Sequence, residues 1–215
     1  RRSSDLDGDR QSFLAAVPPV QPVAWAPDTA GCRPHGRNKQ QFEAALAFVT
    51  KLVPASTGAD PRIVVADGPD GPAYSPPAGG DVGYIESPAK TGPVTFAHEL
   101  GHHLEFTIPG AQKLCQDFLA HRAAGEEPAD LTAMGLTQDS GARGVKDNFD
   151  KLFGTTQCYY AGRQYPDGGT EILSMGLEAL YASPVHFAQT DPEFFAFMIG
   201  VLSGDLAGKG NDHAR

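Results

Sequence analysis

Phe96-Ala97-His98-Glu99-Leu100-Gly101-His102-His103-Leu104 sets two histidines four residues apart, with a glutamate directly after the first. On a helix, positions four apart lie on one face, one turn above the other. The imidazoles of His98 and His102 can therefore grip one ion. Glu99 projects beside them, where it can reach a water on that ion without being a ligand. Zn2+ suits the pattern, because a catalytic zinc takes three protein ligands and keeps one position open. Leu100 and Gly101 put no extra charge next to the donors, and Val94, Phe96, Ala97 and Leu104 give the helix an apolar side to bury. Gly101 costs a helix about 1 kcal/mol relative to alanine; in return it lets another backbone come close.

The third donor has to come from elsewhere in the chain. Thr170-Glu171-Ile172-Leu173-Ser174-Met175-Gly176-Leu177-Glu178 carries two carboxylates seven residues apart, on one face of a second helix. Glu171 is the first choice as third ligand. It stands in the first helical turn, where the helix dipole favours the ionised form that binds metal. Glu178 is the second choice, or else an acceptor for the N–H of a zinc-bound imidazole. His103 points about 100° away from His102 and reads as a packed histidine. Glu105 shares the face of His98 and His102 one turn further on, in a supporting or exposed role. His35, His121, His186 and His213 have no partner at ligand spacing and read as structural or exposed, and Asp167 is a less constrained loop carboxylate.

Working outward from the motif, the tract from about residue 92 to 106 reads as the helix that carries it. Upstream, Phe42, Ala45, Leu46, Val49, Leu52 and Val53 recur at helical spacing from Asn38 until Pro54 ends the run. Strand signals follow at residues 62–66, more weakly at 72–75, and at 81–86, separated by Gly/Pro turns. The strand at 82–86 reads either as a sheet edge, on which an extended substrate could pair, or as plain core. Downstream, helices are expected from Pro109 to about Ala124, from Thr170 as N-cap to Tyr181, and from Asp191-Pro192 to about Leu202. Residues 125–157 are Gly-rich and polar and give no assignment. The fold class is α+β: a small mixed sheet packed against the motif helix, with a mainly helical C-terminal part. Residues 1–37 read as a flexible, Pro-rich tail or linker whose Trp25 can pack on the domain, residues 38–204 as the domain, and residues 205–215 as a polar C-terminal tail.

With 215 residues the chain suits one domain with tails. Gly and Pro together, 25 and 18 residues, predict many loops. The net charge of −9 is the wrong sign for a nucleic-acid binder. No run approaches the ~18 apolar residues of a membrane span. Cys32, Cys115 and Cys158 form no Cys-x-x-Cys, which excludes a zinc ribbon or a thioredoxin-type site and leaves one disulfide or three thiols open. The start, Arg1-Arg2-Ser3-Ser4, reads as a cut within a longer polypeptide or a processed terminus.

The motif stretch Phe96–Leu104 resembles the zinc helix of the gluzincins, zincin-fold peptidases with a glutamate as third ligand. The runs Tyr160-Ala161-Gly162-Arg163 and Thr170-Glu171-Ile172-Leu173-Ser174-Met175 are similar to the Tyr-Gly-Arg…Glu region of the anthrax lethal factor type of protease domain. Related domains occur in bacterial toxins and phage proteins. The resemblance implies a zincin-like fold over residues 62–202, with His98, His102 and Glu171 as zinc ligands and Glu99 as general base. It also implies a tyrosine that stabilises the oxyanion, a role for which Tyr160 and Tyr165 both stand in the matching region. Met175 replaces an acid that the family often carries one turn after the ligand, which leaves that support to a residue such as Glu178.

The expected activity is thus that of a zinc-dependent endopeptidase acting on a protein or peptide substrate. The toxin context implies an immunity or carrier protein as a further partner, and secretion or delivery into a target cell as part of a larger polypeptide. The alternative is a zinc-binding structural module without turnover.

Overall fold

Ile63 and Val65 alternate with more accessible neighbours, so strand β1 (Ile63–Asp67) buries one face. The computed structural model describes residues 3–16, 24–29, 32, 34, 36–68, 73–76, 82–146 and 149–206. Helix α1 (Ser3–Ala16) and helix α2 (Gly36–Val49) precede β1; β2 (Ala73–Ser75) and β3 (Gly83–Ser87) follow it. Next come α3 (Pro93–Thr107), α4 (Ala111–Arg122), a two-stranded hairpin of β4 (Ala129–Asp130) and β5 (Arg143–Gly144), and α5 (Asp150–Ala161). The chain continues through α6 (Ile172–Ala182), α7 (Pro184–Thr190) and α8 (Pro192–Leu202). The architecture is mixed α+β, with the helices in the majority.

The main sheet has the order β1-β3-β2. β3 runs parallel to β1, with Val65 opposite Ile85, and antiparallel to β2, with Tyr74 opposite Ile85. β3 is therefore the central strand, which corrects its reading as a sheet edge: β2 covers the side offered to a substrate. Only three residues of β2 pair, a signal too short to rank by propensity alone. Asp81 and Pro72, at the outer ends of the expected strands, lie outside the described residues.

One apolar layer joins the sheet to the helices. Ile63, Val65 and Ile85 are buried with Phe42 and Val49 of α2 and with Phe96, Leu100 and Leu104 of α3. The turn from β3 into α3 is held by Asn38, whose amide donates to Pro88 O and to Asp67 Oδ1 at 2.9 Å each, while its carbonyl accepts from Lys90 N at 3.1 Å. Pro93 opens α3 without needing its missing N–H. α3 then packs along α6, and Gly101 permits the approach: a Cβ there would lie 2.5 Å from Ser174 Cα and 2.6 Å from Leu173 O.

The described parts of the N-terminal segment pack on the domain. α1 packs against α7 and α6, Phe13 sits 6.0 Å from Phe195 and 6.4 Å from Phe48 between ring centroids, and Trp25 is buried in the core. α1 carries few apolar side chains and no clear apolar stripe, which left it without a period to read. Residues 207–215, most of the expected C-terminal tail, lie outside the described residues. The segment 125–157, unassigned from sequence, contains the β4–β5 hairpin and the start of α5. α4 begins at Ala111 after Gly110, which has φ 82°, rather than at Pro109. α7 fills the expected gap between two helices. Asp191 caps α8 as expected, accepting from Phe194 N at 3.1 Å. Cys115 and Cys158 are buried apart from one another, and no disulfide forms among the described residues. No helix of the described residues is long and apolar enough to cross a membrane.

Candidate metal centre

The four-residue spacing on α3 puts the His98 and His102 rings 5.0 Å apart between centroids. α6 brings Glu171 down onto both: its Oε2 lies 3.3 Å from His98 Nε2 and 3.3 Å from His102 Nε2. The donor atoms of these three residues all fall within 4.8 Å of one another, and among the described residues they are the one grouping able to hold a metal ion. Glu178 sits on the other side of the first imidazole, its Oε2 3.3 Å from His98 Nδ1. That Nδ1 is buried and the contact lacks the alignment of a hydrogen bond. Glu178 therefore stands outside the three-residue group.

Glu171 is fully buried, and each of its oxygens is engaged. Oε2 accepts from Ser174 Oγ at 2.6 Å, and Oε1 accepts from the Tyr165 hydroxyl. Burial alone would push this carboxyl up. The charges on His102 and His98, with the hydrogen bonds from His102 and Ser174, outweigh burial and hold it well below the ordinary carboxylate range. His102 shows the reciprocal effect. Burial pulls it down, but Glu171, then Glu99 and Glu105, raise it to about 9. The carboxylates around His102 thus favour its protonated form. A metal ligand must be a neutral imidazole, so a cation binding here displaces that proton.

Glu99 is also buried and lines the cavity beside the histidines. Burial raises its carboxyl against the lowering pull of His98 and His102, with Glu171 and Glu178 adding to the rise. A carboxyl shifted in this direction holds a proton at higher pH than a free one does. Tyr160 stacks near His98 at 6.4 Å between ring centroids, and Tyr165 meets the His102 ring edge-on at 6.1 Å. Burial first and the Glu171 charge second push both phenols above their ordinary value, so both remain donors. His98, Glu99, His102, Glu171, Tyr160 and Tyr165 therefore come together at one place, while Glu178, the second choice as ligand, meets only the far side of His98. The cavity there has a volume of about 370 Å³ and is also lined by Tyr74, Pro76, Phe106, Asp139, Arg163 and Asp167.

Glu105 takes the supporting role that was one of its two readings, whereas Ser174 and Tyr74 were not named from the sequence. Glu105 is buried, with its Oε1 accepting from Thr170 N at 2.7 Å and from Thr170 Oγ1 at 2.9 Å. It ties the motif helix to the residue before Glu171. Thr170 is not the N-cap of α6, a position held by Glu171 itself; its hydroxyl still accepts from Ile172 N at 3.1 Å. Ser174 stands three residues after Glu171, a helical spacing that could have flagged it. Tyr74 reaches the site from β2, its ring stacked 6.2 Å from His102, and no sequence pattern predicted that. His103 is packed as expected, with Nδ1 3.1 Å from the Tyr74 hydroxyl and Nε2 2.8 Å from Asp60 O. His121 and His186 lie away from the centre, and His35 and His213 fall outside the described residues.

No protein-family model matches the chain, and neither does any curated protein or solved structure.

Proposed function

We propose that the chain is a zinc-dependent endopeptidase with a zincin-like fold, in which His98, His102 and Glu171 hold zinc and Glu99 is the general base. The observation that carries this is the double 3.3 Å approach of Glu171 Oε2 to the two Nε2 atoms. Two donors at the usual zinc bond length, set at a tetrahedral angle, stand about 3.3–3.4 Å apart. The donor set of two imidazoles and one carboxylate is the type that leaves a fourth position open.

Zinc, when bound, supplies Lewis acidity and brings the pKa of water to about 7. The chain's own residues do the rest. Glu99 takes the proton of the attacking water and passes it to the leaving amine. The Tyr160 phenol faces the cavity as a neutral donor suited to an oxyanion, whereas the single O–H of Tyr165 is given to Glu171 Oε1. Ser174 and Tyr165 hold the Glu171 carboxylate, and Glu178 flanks His98 from behind. β2, with Ala73, Tyr74 and Pro76 on the cavity wall, takes over the substrate-pairing role first given to β3: its outer edge is free of strand partners among the described residues, and an extended peptide can add there.

A structural zinc module is the competing reading. It would be expected to close the metal with a fourth protein ligand, whereas here a cavity opens beside the three donors. The test pairs metal content with turnover. Glu99→Gln is expected to retain one zinc per chain while cleavage of a casein or peptide pool falls at least ~100-fold, as loss of a general base requires. Glu171→Ala is expected to lose zinc, and Glu178→Ala to keep it. Cleavage by Glu99→Gln at the parent rate would remove the assignment. Stoichiometric zinc with no chelator-sensitive cleavage of any protein offered would favour the structural module.

A further inference from the structure

Arg163 lies in the short connection between α5 and α6, and its backbone is fixed from both sides. Its N–H donates to Tyr160 O at 2.9 Å, and its carbonyl accepts from Glu171 N at 3.3 Å. The turn that delivers the third metal donor therefore delivers this guanidinium as well. The guanidinium carbon sits 4.1 Å from the centre of the Tyr165 ring. Its Nε is buried and has no acceptor. Its ion pair is a single contact, Nη2 to Asp139 Oδ2 at 2.5 Å, between side chains that are 7% and 67% exposed.

That arrangement differs from another buried arginine pair, Arg122 with Asp191. Arg122 donates through both terminal nitrogens to Asp191, at 3.1 and 3.0 Å, and those side chains are 6% and 9% exposed. Arg122 thus has the two-pronged, enclosed partner that a structural guanidinium needs. Arg163 has a one-point contact with an exposed acid and keeps an unmet donor. Its position is also different. Asp139, Arg163 and Tyr165 line both the cavity at the metal centre and a neighbouring one of about 650 Å³. Among the described residues that line the smaller cavity, Arg163 is the only lysine or arginine.

Resting on the peptidase reading, we propose that Arg163 recognises an acidic side chain of the peptide substrate, and that Asp139 occupies this place in the free protein. A carboxylate from the substrate can engage the guanidinium fork in the two-pronged way that Asp139 does not. The substrate class is then a peptide with aspartate or glutamate close to the scissile bond, selected by a protein whose overall charge is negative and whose cleft holds one fixed cation.

The test uses two fluorescein-labelled decapeptide pools, identical except for glutamate or glutamine at a fixed central position. The zinc-loaded parent is expected to cleave the glutamate pool about tenfold faster in kcat/KM, about 1.4 kcal/mol of discrimination. Arg163→Gln is expected to bring the ratio to about one, Arg163→Lys to restore part of it, and Asp139→Asn to raise turnover of the glutamate pool several-fold by removing the competitor. A parent ratio near one, or an Arg163→Gln protein that slows both pools equally and keeps the ratio, overturns the proposal. Fluorescence anisotropy with Glu99→Gln, alone and combined with Arg163→Gln, reads the same preference as a Kd without cleavage. A binding preference that depends on Arg163, with no bond ever cut, upholds recognition and defeats the peptidase reading. Cleavage without preference does the reverse.

Discussion

Glu105 illustrates how a single side chain serves the centre from behind. It is three residues past His102 and touches no proposed donor atom, yet it holds Thr170 through backbone and hydroxyl and so fixes where Glu171 begins. Burial raises its carboxyl to about 7, against the lowering effects of His102 and Thr170. Between the ordinary value of 4.5 and about 7, the folded chain retains a proton that the unfolded chain releases. Unfolding free energy of the metal-free protein therefore falls as pH rises through that window, at up to ~1.4 kcal/mol per pH unit. His102 acts in the same direction over a higher window, from 6.5 to about 9. Glu105→Gln keeps the acceptor oxygen and removes the titration. In urea denaturation of chelator-treated protein, its stability relative to the parent is expected to rise between pH 4.5 and pH 6.5 and to stay higher above. Parallel pH profiles of parent and variant would show that Glu105 carries no such burden.

At the scale of elements, the centre depends on how closely α3 and α6 lie. α3 presents two donors by ordinary helical spacing and α6 one at its N-cap, but the 3.3 Å approach between them requires the backbones to meet at Gly101. Alanine there would place a Cβ against Ser174 Cα and Leu173 O, neither of which can rotate away. Gly101→Ala should gain helix propensity of about 1 kcal/mol and lose more, about 1–3 kcal/mol, to overpacking. Because the strain pushes α6 away from α3, zinc affinity should fall along with thermal stability. A variant with parental zinc affinity, measured by competition with a chromophoric chelator, would show that the helices do not need this contact. The sheet teaches a related lesson. Alternating apolar residues identified β1 and β3 correctly, but which of them is central was decided by β2, whose three residues hydrogen-bond to β3 and turn Tyr74 towards His102.

Over the whole molecule, the described part of the N-terminal segment reaches the core: α1 was not read as a helix, whereas the packing of Trp25 was expected. Arg10 donates to Tyr181 O at 2.9 Å and lies over that ring at 4.4 Å. Further along, Trp25 is buried 5.8 Å from His103 between ring centroids. Trp25→Ala should therefore destabilise the chain by about 3–5 kcal/mol, the usual cost of emptying a large aromatic site. Unchanged denaturant midpoints would return the segment to the status of a tail. What the amino-acid order determined by itself was local: two imidazoles one helical turn apart, a glutamate between them, and a second helix with an acid at its start, because each follows from a 3.6-residue repeat. What only the tertiary structure decided was convergence. Which carboxylate meets both imidazoles, which strand forms the edge and which arginine stands at the cleft depend on contacts between residues tens of positions apart, and no local period encodes those.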